Sequence, residues 1–286
     1  MSTVRFDAGS VGLAADRWPG DGSRPADVVL LHGGGQTRHS WKGTAERLAA
    51  DGWGVVAVDL RGHGDSDWHP QQDYTLSGLV EDLLAVVALL DVPPVLVGAS
   101  LGGYTALAAA GENPVLASGL VLVDVVVNVE PAGVRRVREF MTARPDGFAT
   151  LEEVVDAIAA YNPQRPRPVG LDGVRRNVRL ADDGRWHWHW DPAFMPPAHE
   201  PEQRFEQRRL EEAAARIAIP TLIVRGLCSD VVSAAGVDDM LVRIPLAQVV
   251  EVATAGHMVA GDENDPFAAA LAGFLDRLTY DALDGR

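Results

Sequence analysis

Short runs of apolar, β-branched residues recur along the chain, and each runs into a cluster of glycine and polar residues. The run at 28–31 meets His32-Gly33-Gly34-Gly35, that at 55–60 meets Arg61-Gly62-His63-Gly64, and that at 95–97 meets Gly98-Ala99-Ser100. Residues 120–123 end at Asp124, 221–224 at Arg225-Gly226, and 248–252 lead to Ala255-Gly256-His257. Runs this short and this continuous read as strands buried on both faces. Between them, alanine- and leucine-rich stretches at 41–50, 77–90, 101–110 and 265–278 read as helices, the last opening on Asp265-Pro266, a favourable helix start. The alternation predicts a doubly wound, mostly parallel α/β sheet, with every polar cluster at the carboxyl edge, where open sheets build their sites.

One stretch breaks the rhythm. From 128 to 215 there is no buried-strand signal. Instead come helical pieces at 134–142 and 151–161, a proline-rich joint at 163–168, the run Trp186-His187-Trp188-His189-Trp190, and a charged helix at 202–215. Strand signals resume at Ile219. The expected organisation is a core of residues 1–127 and 216–286 with a mainly helical lid inserted at 128–215.

Composition narrows the partners. With 25 Lys+Arg against 40 Asp+Glu in 286 residues, the formal charge of −15 argues against nucleic acid or an anionic membrane and leaves a small-molecule substrate. The sole lysine, Lys42, follows Trp41 rather than glycine, so no GxxxxGK phosphate loop exists. The single cysteine, Cys228, allows no intramolecular disulfide and no multi-cysteine metal site. MSTVRFDAGS has no basic-then-apolar signal pattern, and no apolar run approaches the ~18 residues of a membrane helix, so a cytoplasmic protein is expected.

The most specific chemical signal is Gly98-Ala99-Ser100-Leu101-Gly102, a Gly-x-Ser-x-Gly between a buried strand and a helix. A serine on such a turn holds a strained backbone with its hydroxyl projecting from the sheet edge. Glycines two residues to either side remove side chains that would collide there. The helix behind it sets the Leu101 N–H beside the reacting oxygen. The glycines at 33–35 allow backbone N–H groups to face a cavity and bind a developing oxyanion. They do not fit a dinucleotide fingerprint, because Arg38 stands where its third glycine would be.

A nucleophilic serine needs a base. Of the eight histidines, His39, His63 and His69 lie in early loops, His32 shapes the glycine turn, and His187, His189 and His199 lie in the insertion. His257 alone comes after the last strand with Ser100 upstream. Two aspartates compete to orient it. Asp230, on the loop after the second-last strand, falls between serine and histidine in chain order and is the expected acid. Asp124 ends the strand after the elbow and is the second candidate, with a role in lining the pocket or anchoring the lid as its other reading.

With HGGG at 32–35, DLRGHGDSD at 59–67, GASLGG at 98–103, the Asp230 loop and GHM at 256–258, the chain resembles the α/β-hydrolase fold family over nearly its whole length. It is most similar to the epoxide-hydrolase and cofactor-free haloperoxidase branch, whose His-Ser-Trp is matched by His39, Ser40 and Trp41. The resemblance implies Ser100 as nucleophile, His257 as base, Asp230 as its orienter, and an oxyanion hole from the Gly34 and Leu101 N–H groups. It implies no cofactor and no metal. Two departures stand out: a serine rather than an aspartate at the elbow speaks against epoxide and haloalkane hydrolysis, and the Asp230 loop is one residue longer than the family's Gly-Asp-x-Asp form. The expected reaction is hydrolysis of an ester or related acyl compound through an acyl-enzyme. C–C bond hydrolysis and perhydrolysis on the same residues, or a receptor that does not turn over, are the alternatives.

Substrate-facing roles are expected for Trp41, Asp124, Trp188 and Trp190. A strand through 186–190 would place both histidines on one face and the tryptophans on the other, making a lid wall or, as an alternative, a two-histidine metal site without a cysteine to complete it. The Arg61–Ser66 segment reads as a structural turn. Arg135, Arg136 and Arg138 read as a solvated helix face or, more sharply, a seat for a substrate carboxylate.

Overall fold

The computed structural model describes the chain except residues 164–166, 168–169, 196–206, 254, 258–264 and 284–286. An antiparallel pair, β1 (Ser2–Asp7) and β2 (Gly12–Trp18), comes first. Next are β3 (Val28–Leu31), α1 (Lys42–Ala50), β4 (Val55–Val58), α2 (Leu76–Val87), β5 (Val95–Ala99), α3 (Leu101–Glu112) and β6 (Gly119–Val123). The insertion carries α4 (Pro131–Thr142), α5 (Leu151–Tyr161), α6 (Leu171–Arg175) and the hairpin β7 (Val178–Leu180) with β8 (Trp186–Trp188). Then come α7 (Gln207–Arg216), β9 (Thr221–Gly226), α8 (Ala234–Arg243), β10 (Ala247–Val252) and α9 (Asp265–Leu283).

The main sheet runs β1-β2-β4-β3-β5-β6-β9-β10, and every pairing from β4 to β10 is parallel. Side chains alternate across it, so each parallel strand feeds two cores. Val29, Leu31, Leu96, Leu120 and Leu122 pack with helices α2, α3 and α7 on one face, whereas Val28, Leu30, Val95, Val97 and Val121 pack with α1 and α9 on the other. Each such side chain, withdrawn fully from water, contributes about 1.5–3 kcal/mol.

Register places the site. Ala99 on β5 pairs with Val123 on β6, so the next residues, Ser100 and Asp124, leave the sheet side by side. The doubly wound parallel sheet is therefore as the strand runs predict. Its antiparallel start lies outside that pattern: β1 is mostly exposed and interleaved with charge, and so lacks a buried run.

Three features of the insertion differ from expectation. Helix α7 packs on α3 as part of the core layer. Leu210, Ala213 and Ala214 are buried in the main cluster, Arg209 grips Glu112 at 2.6 and 2.9 Å, and a Cβ on Gly111 would stand 2.3 Å from the Ala213 carbonyl oxygen. The aromatic run is strand only as far as Trp188, after which the His189 N–H turns to the Asn177 carbonyl at 3.1 Å. His187 and His189 consequently part company. His199, Met258 and parts of the 163–168 joint and the 202–215 helix lie outside the described residues. Among the described residues no helix is long and apolar enough to cross a membrane.

Candidate active site

Ser100 sits on the turn from β5 into α3 with φ 45° and ψ −114°, a left-handed conformation that costs a non-glycine residue of order 1–3 kcal/mol. The flanking glycines are obligatory for a steric reason. A Cβ on Gly98 would fall 2.4 Å from the Gly102 carbonyl oxygen, and one on Gly102 would fall 2.4 Å from that of Leu31.

His257, on the loop after β10, reaches the serine: its Nε2 lies 3.2 Å from Ser100 Oγ. Its Nδ1 lies 2.8 Å from Asp124 Oδ2. Asp124 is 1% exposed, and its carboxylate also accepts from the Gly226 N–H at 3.0 Å and from the Ser229 hydroxyl at 2.6 Å. Three donors on one buried carboxylate satisfy its charge without water. With a proton on Nδ1 directed at Asp124, the Nε2 lone pair faces the serine hydroxyl, the tautomer a general base requires.

Asp230, expected as the partner of His257, is not brought to it. Its carboxylate is 38% exposed and accepts from Arg136 Nη1 of α4 at 2.8 Å. The cause is the turn after β9. Ser229 folds back, its N–H donating to the Gly226 carbonyl at 3.0 Å and its Oγ accepting from the Val231 and Val232 N–H groups at 3.2 and 3.1 Å. Ser229 thereby takes the inward position, and Asp230 is turned out toward α4, whose Gly133 lies against its carbonyl. Ser229 carried no sequence signal beyond its place beside Asp230. Asp124 did carry one, as a strand-end carboxylate next to the elbow strand.

The glycine loop lies beside the serine, with a Cβ on Gly33 3.4 Å from that of Ser100. The Gly33 N–H is used by Gln36 Oε1 at 2.9 Å and the Gly35 N–H by His63 Nε2 at 3.1 Å. Among the described residues the Gly34 and Leu101 N–H groups have no hydrogen-bond acceptor, which leaves both available to an oxyanion. Above Gly34 stand Met141 and Phe194, each 3.7 Å from where its Cβ would be.

Of the expected substrate-facing residues, Asp124 is engaged as above. Trp188 and Trp190 stack at 4.8 Å and 12°, Trp188 touching Phe140 and Phe148 and Trp190 lying 3.3 Å from a Cβ on Gly35. Trp41 does not face the site: it is 0% exposed and packs with Phe267 in the core on the α1 and α9 face. The turn at 61–66 is structural in its contacts, buried Arg61 holding Asp82 at 2.6 and 2.8 Å. Arg136 spends its guanidinium on Asp230 and the Tyr161 carbonyl. His187 meets Asp183 at 2.9 Å near the surface, while buried His189 meets Gly64 and Gly35, so the two do not converge on one point. Cys228 is exposed.

A parallel sheet with a serine elbow, a histidine after the last strand and a glycine loop beside them defines a class of hydrolytic enzyme. Residues 28–270 match the model of the alpha/beta hydrolase family, and the chain belongs to that family. It is 35% identical over 198 residues to the esterase Rv0045c of Mycobacterium tuberculosis, a match spanning 65% of this chain and 62%, less than two thirds, of that protein. It is 28% identical to a 3-hydroxybutyrate-oligomer hydrolase of Cupriavidus necator over 93% of this chain and 92% of the relative. Among solved structures it superposes on E-2-(acetamidomethylene)succinate hydrolase with a TM-score of 0.81 at 26% identity, over 96% of this chain and 99% of the other. The protein is an enzyme of the hydrolase class.

Proposed function

We propose that the protein is a serine hydrolase for uncharged esters or related acyl compounds. The supporting observation is the contact chain from Ser100 through His257 to buried Asp124, at 3.2 and 2.8 Å. His257 takes the proton of Ser100 as Oγ attacks the carbonyl carbon. The oxyanion then forms between the Gly34 and Leu101 N–H groups. Collapse of that intermediate expels the alcohol, which receives the proton from His257 Nε2, and water releases the acid by the same steps in reverse order. Asp124 stabilises the imidazolium formed in each half, and Asp230 takes no part. Met141, Phe140, Phe194 and the Trp188–Trp190 stack offer apolar and aromatic surface to the acyl group, which favours uncharged acyl chains over carboxylates.

The test is covalent. A fluorophosphonate should label Ser100 in peptide mass spectrometry, and Ser100→Ala should lose at least ~10³-fold in turnover of p-nitrophenyl esters. Full activity in Ser100→Ala ends the reading. Turnover of a vinylogous diketone with none of any ester would replace ester hydrolysis by C–C hydrolysis.

A further inference from the structure

Three histidines lie beneath the glycine loop, all buried: His32, His63 and His189, with ring centroids 5.2 Å apart between the first two and 5.8 Å between the last two. The backbone dictates the tautomer of each. His32 Nε2 accepts the Leu60 N–H at 3.0 Å, so its proton is on Nδ1, donated to the Gly33 carbonyl at 2.8 Å. His63 Nε2 accepts the Gly35 N–H at 3.1 Å, so its Nδ1–H goes to the Arg61 carbonyl at 3.0 Å. His189 is the reverse: Nδ1 accepts the Gly64 N–H at 2.8 Å, and Nε2–H faces the Gly35 carbonyl at 3.4 Å.

These contacts fall on successive peptide groups of one loop. The Gly33 carbonyl is held by His32 and by the Gln36 N–H, the Gly35 N–H by His63 and the Gly35 carbonyl by His189. A trans peptide points its N–H opposite to its C=O. With the Gly33 carbonyl drawn toward the core, the Gly34 N–H of the same peptide is turned the other way, into the space beside Ser100. Gly35, at φ 74°, has no side chain to restrain it, and the peptide after it bears on the oxyanion donor directly, because its Gln36 N–H donates to the Gly33 carbonyl at 3.1 Å. Two of the three anchors belong to the core. The third comes from the insertion, whose strap is itself tied down: the Asp191 N–H donates to the Gly62 carbonyl at 2.9 Å, and Tyr74 donates to Asp191 Oδ2 at 2.5 Å.

We infer that His189 is a positioning residue for the oxyanion donor: by holding the Gly35 carbonyl it sets the peptide whose Gln36 N–H holds the Gly33 carbonyl, so seating the 186–191 strap on the loops after β3 and β4 completes the aim that His32 begins. This rests on the serine-hydrolase reading. Seating of the insertion and completion of the oxyanion hole are then one event. The residue acts through the backbone and never touches substrate.

The test compares His189→Phe, which keeps a planar ring and loses both hydrogen bonds, with His189→Gln, whose carboxamide again presents one acceptor and one donor. With p-nitrophenyl butyrate, the Phe variant should lose ~10²-fold in kcat with KM within ~3-fold, the loss typical of a missing oxyanion donor, and the rate of fluorophosphonate labelling should fall in parallel. The Gln variant should recover at least ~10-fold of that loss. Wild-type kcat in the Phe variant, or a Gln variant impaired as severely as Phe, overturns the role. Ring ¹⁵N shifts of the unmodified protein give a readout independent of whether a variant folds: His189 should carry its proton on Nε2 and His63 on Nδ1, and the opposite tautomer at His189 overturns the clamp. If the wild type neither hydrolyses esters nor reacts at Ser100, the hydrolase reading falls and the role of His189 with it. If it does both and His189→Phe retains kcat, only His189 is misassigned.

Discussion

The floor of the site and its rim use the same contacts to different ends. On the floor, His257 meets Asp124 at 2.8 Å, with the two side chains 12% and 0% exposed. On the rim, His187 meets Asp183 at 2.9 Å with 33% and 50% exposure, and Arg136 meets Asp230 at 2.8 Å with 46% and 38%. Distance does not separate these pairs. Surroundings do: a charge pair at 4 Å is attracted by about 1 kcal/mol in water and about 4 kcal/mol at an effective dielectric near 20. Asp124 has in addition two neutral donors, Gly226 N–H and Ser229 Oγ–H, that hold its carboxylate in one orientation. A carboxylate at the sheet edge becomes useful to a histidine when it is desolvated and fixed, and Asp230 is neither.

The largest expected effect comes from replacing the floor carboxylate. Asp124→Asn keeps the volume but offers an amide N–H where Nδ1 needs an acceptor, so the imidazole turns to the tautomer whose Nε2 carries a proton toward Ser100. A loss of ~10²–10⁴-fold in kcat is expected, with the melting temperature as the control for folding. A kcat within a few-fold of wild type would break the contrast between floor and rim at its centre.

Acid stability is the next largest effect, and it tests the buried region by a different observable. Burial holds His32 down to about 4 and His63 to about 3, and pushes His189 well below its ordinary range. An unfolded histidine takes up its proton near 6.5, so at lower pH the unfolded chain binds more protons than the folded one. The stability these neutral rings confer is complete above about 6.5 and falls on acidification by about 2 kcal/mol per histidine at pH 5. Urea midpoints between pH 7.5 and pH 5 should track that slope, and His63→Gln should flatten it by about one proton. A slope that His63→Gln leaves unchanged would show that burial does not keep this ring neutral.

Ser229→Ala sharpens the comparison within the floor. The variant removes one donor from Asp124 and leaves the Val231 and Val232 N–H groups without the Oγ acceptor, while the His257 contact stays. A hydrogen bond to a charged group is worth about 1.5–3 kcal/mol. Because Gly226 still holds the other oxygen, the expected loss in kcat/KM is toward the lower end, ~10-fold. No loss in kcat/KM, together with an unchanged melting temperature, would mean that Asp124 is oriented without Ser229.

Ser100, His257 and the strand ends were legible because parallel strands buried on both faces write continuous apolar runs, and the residues just beyond such a run lie at the carboxyl edge. Asp124 against Asp230 was not decidable the same way, since both stand beyond such runs. The choice depends on β6 lying next to β5 and on the turn that puts Ser229 inside, and neither is a property of a local window. Trp41 lies on the far face of the sheet, and adjacency in sequence to the glycine loop does not determine which face a side chain enters. His189 was invisible as a partner of Gly35, for that contact requires knowing that the aromatic run stops being strand at Trp188.

The smallest expected effect tests the rim itself. Arg136 and Asp230 form an exposed pair, for which double-mutant cycles give about 0.2–1 kcal/mol. Asp230→Asn should therefore leave kcat within ~3-fold of wild type, and a cycle with Arg136→Gln should return a coupling in that range that shrinks with added salt, since exposed charges are screened over about 10 Å at 0.1 M. The pair does link α4 of the insertion to the loop after β9, so a modest change in KM is consistent with its position. A fall in kcat of ~10²-fold in Asp230→Asn, matching that of Asp124→Asn, would require the loop after β9 to rearrange during turnover and bring Asp230 inward. The sheet edge would then have two working carboxylates, and burial in the resting structure would no longer be the property that chooses between them.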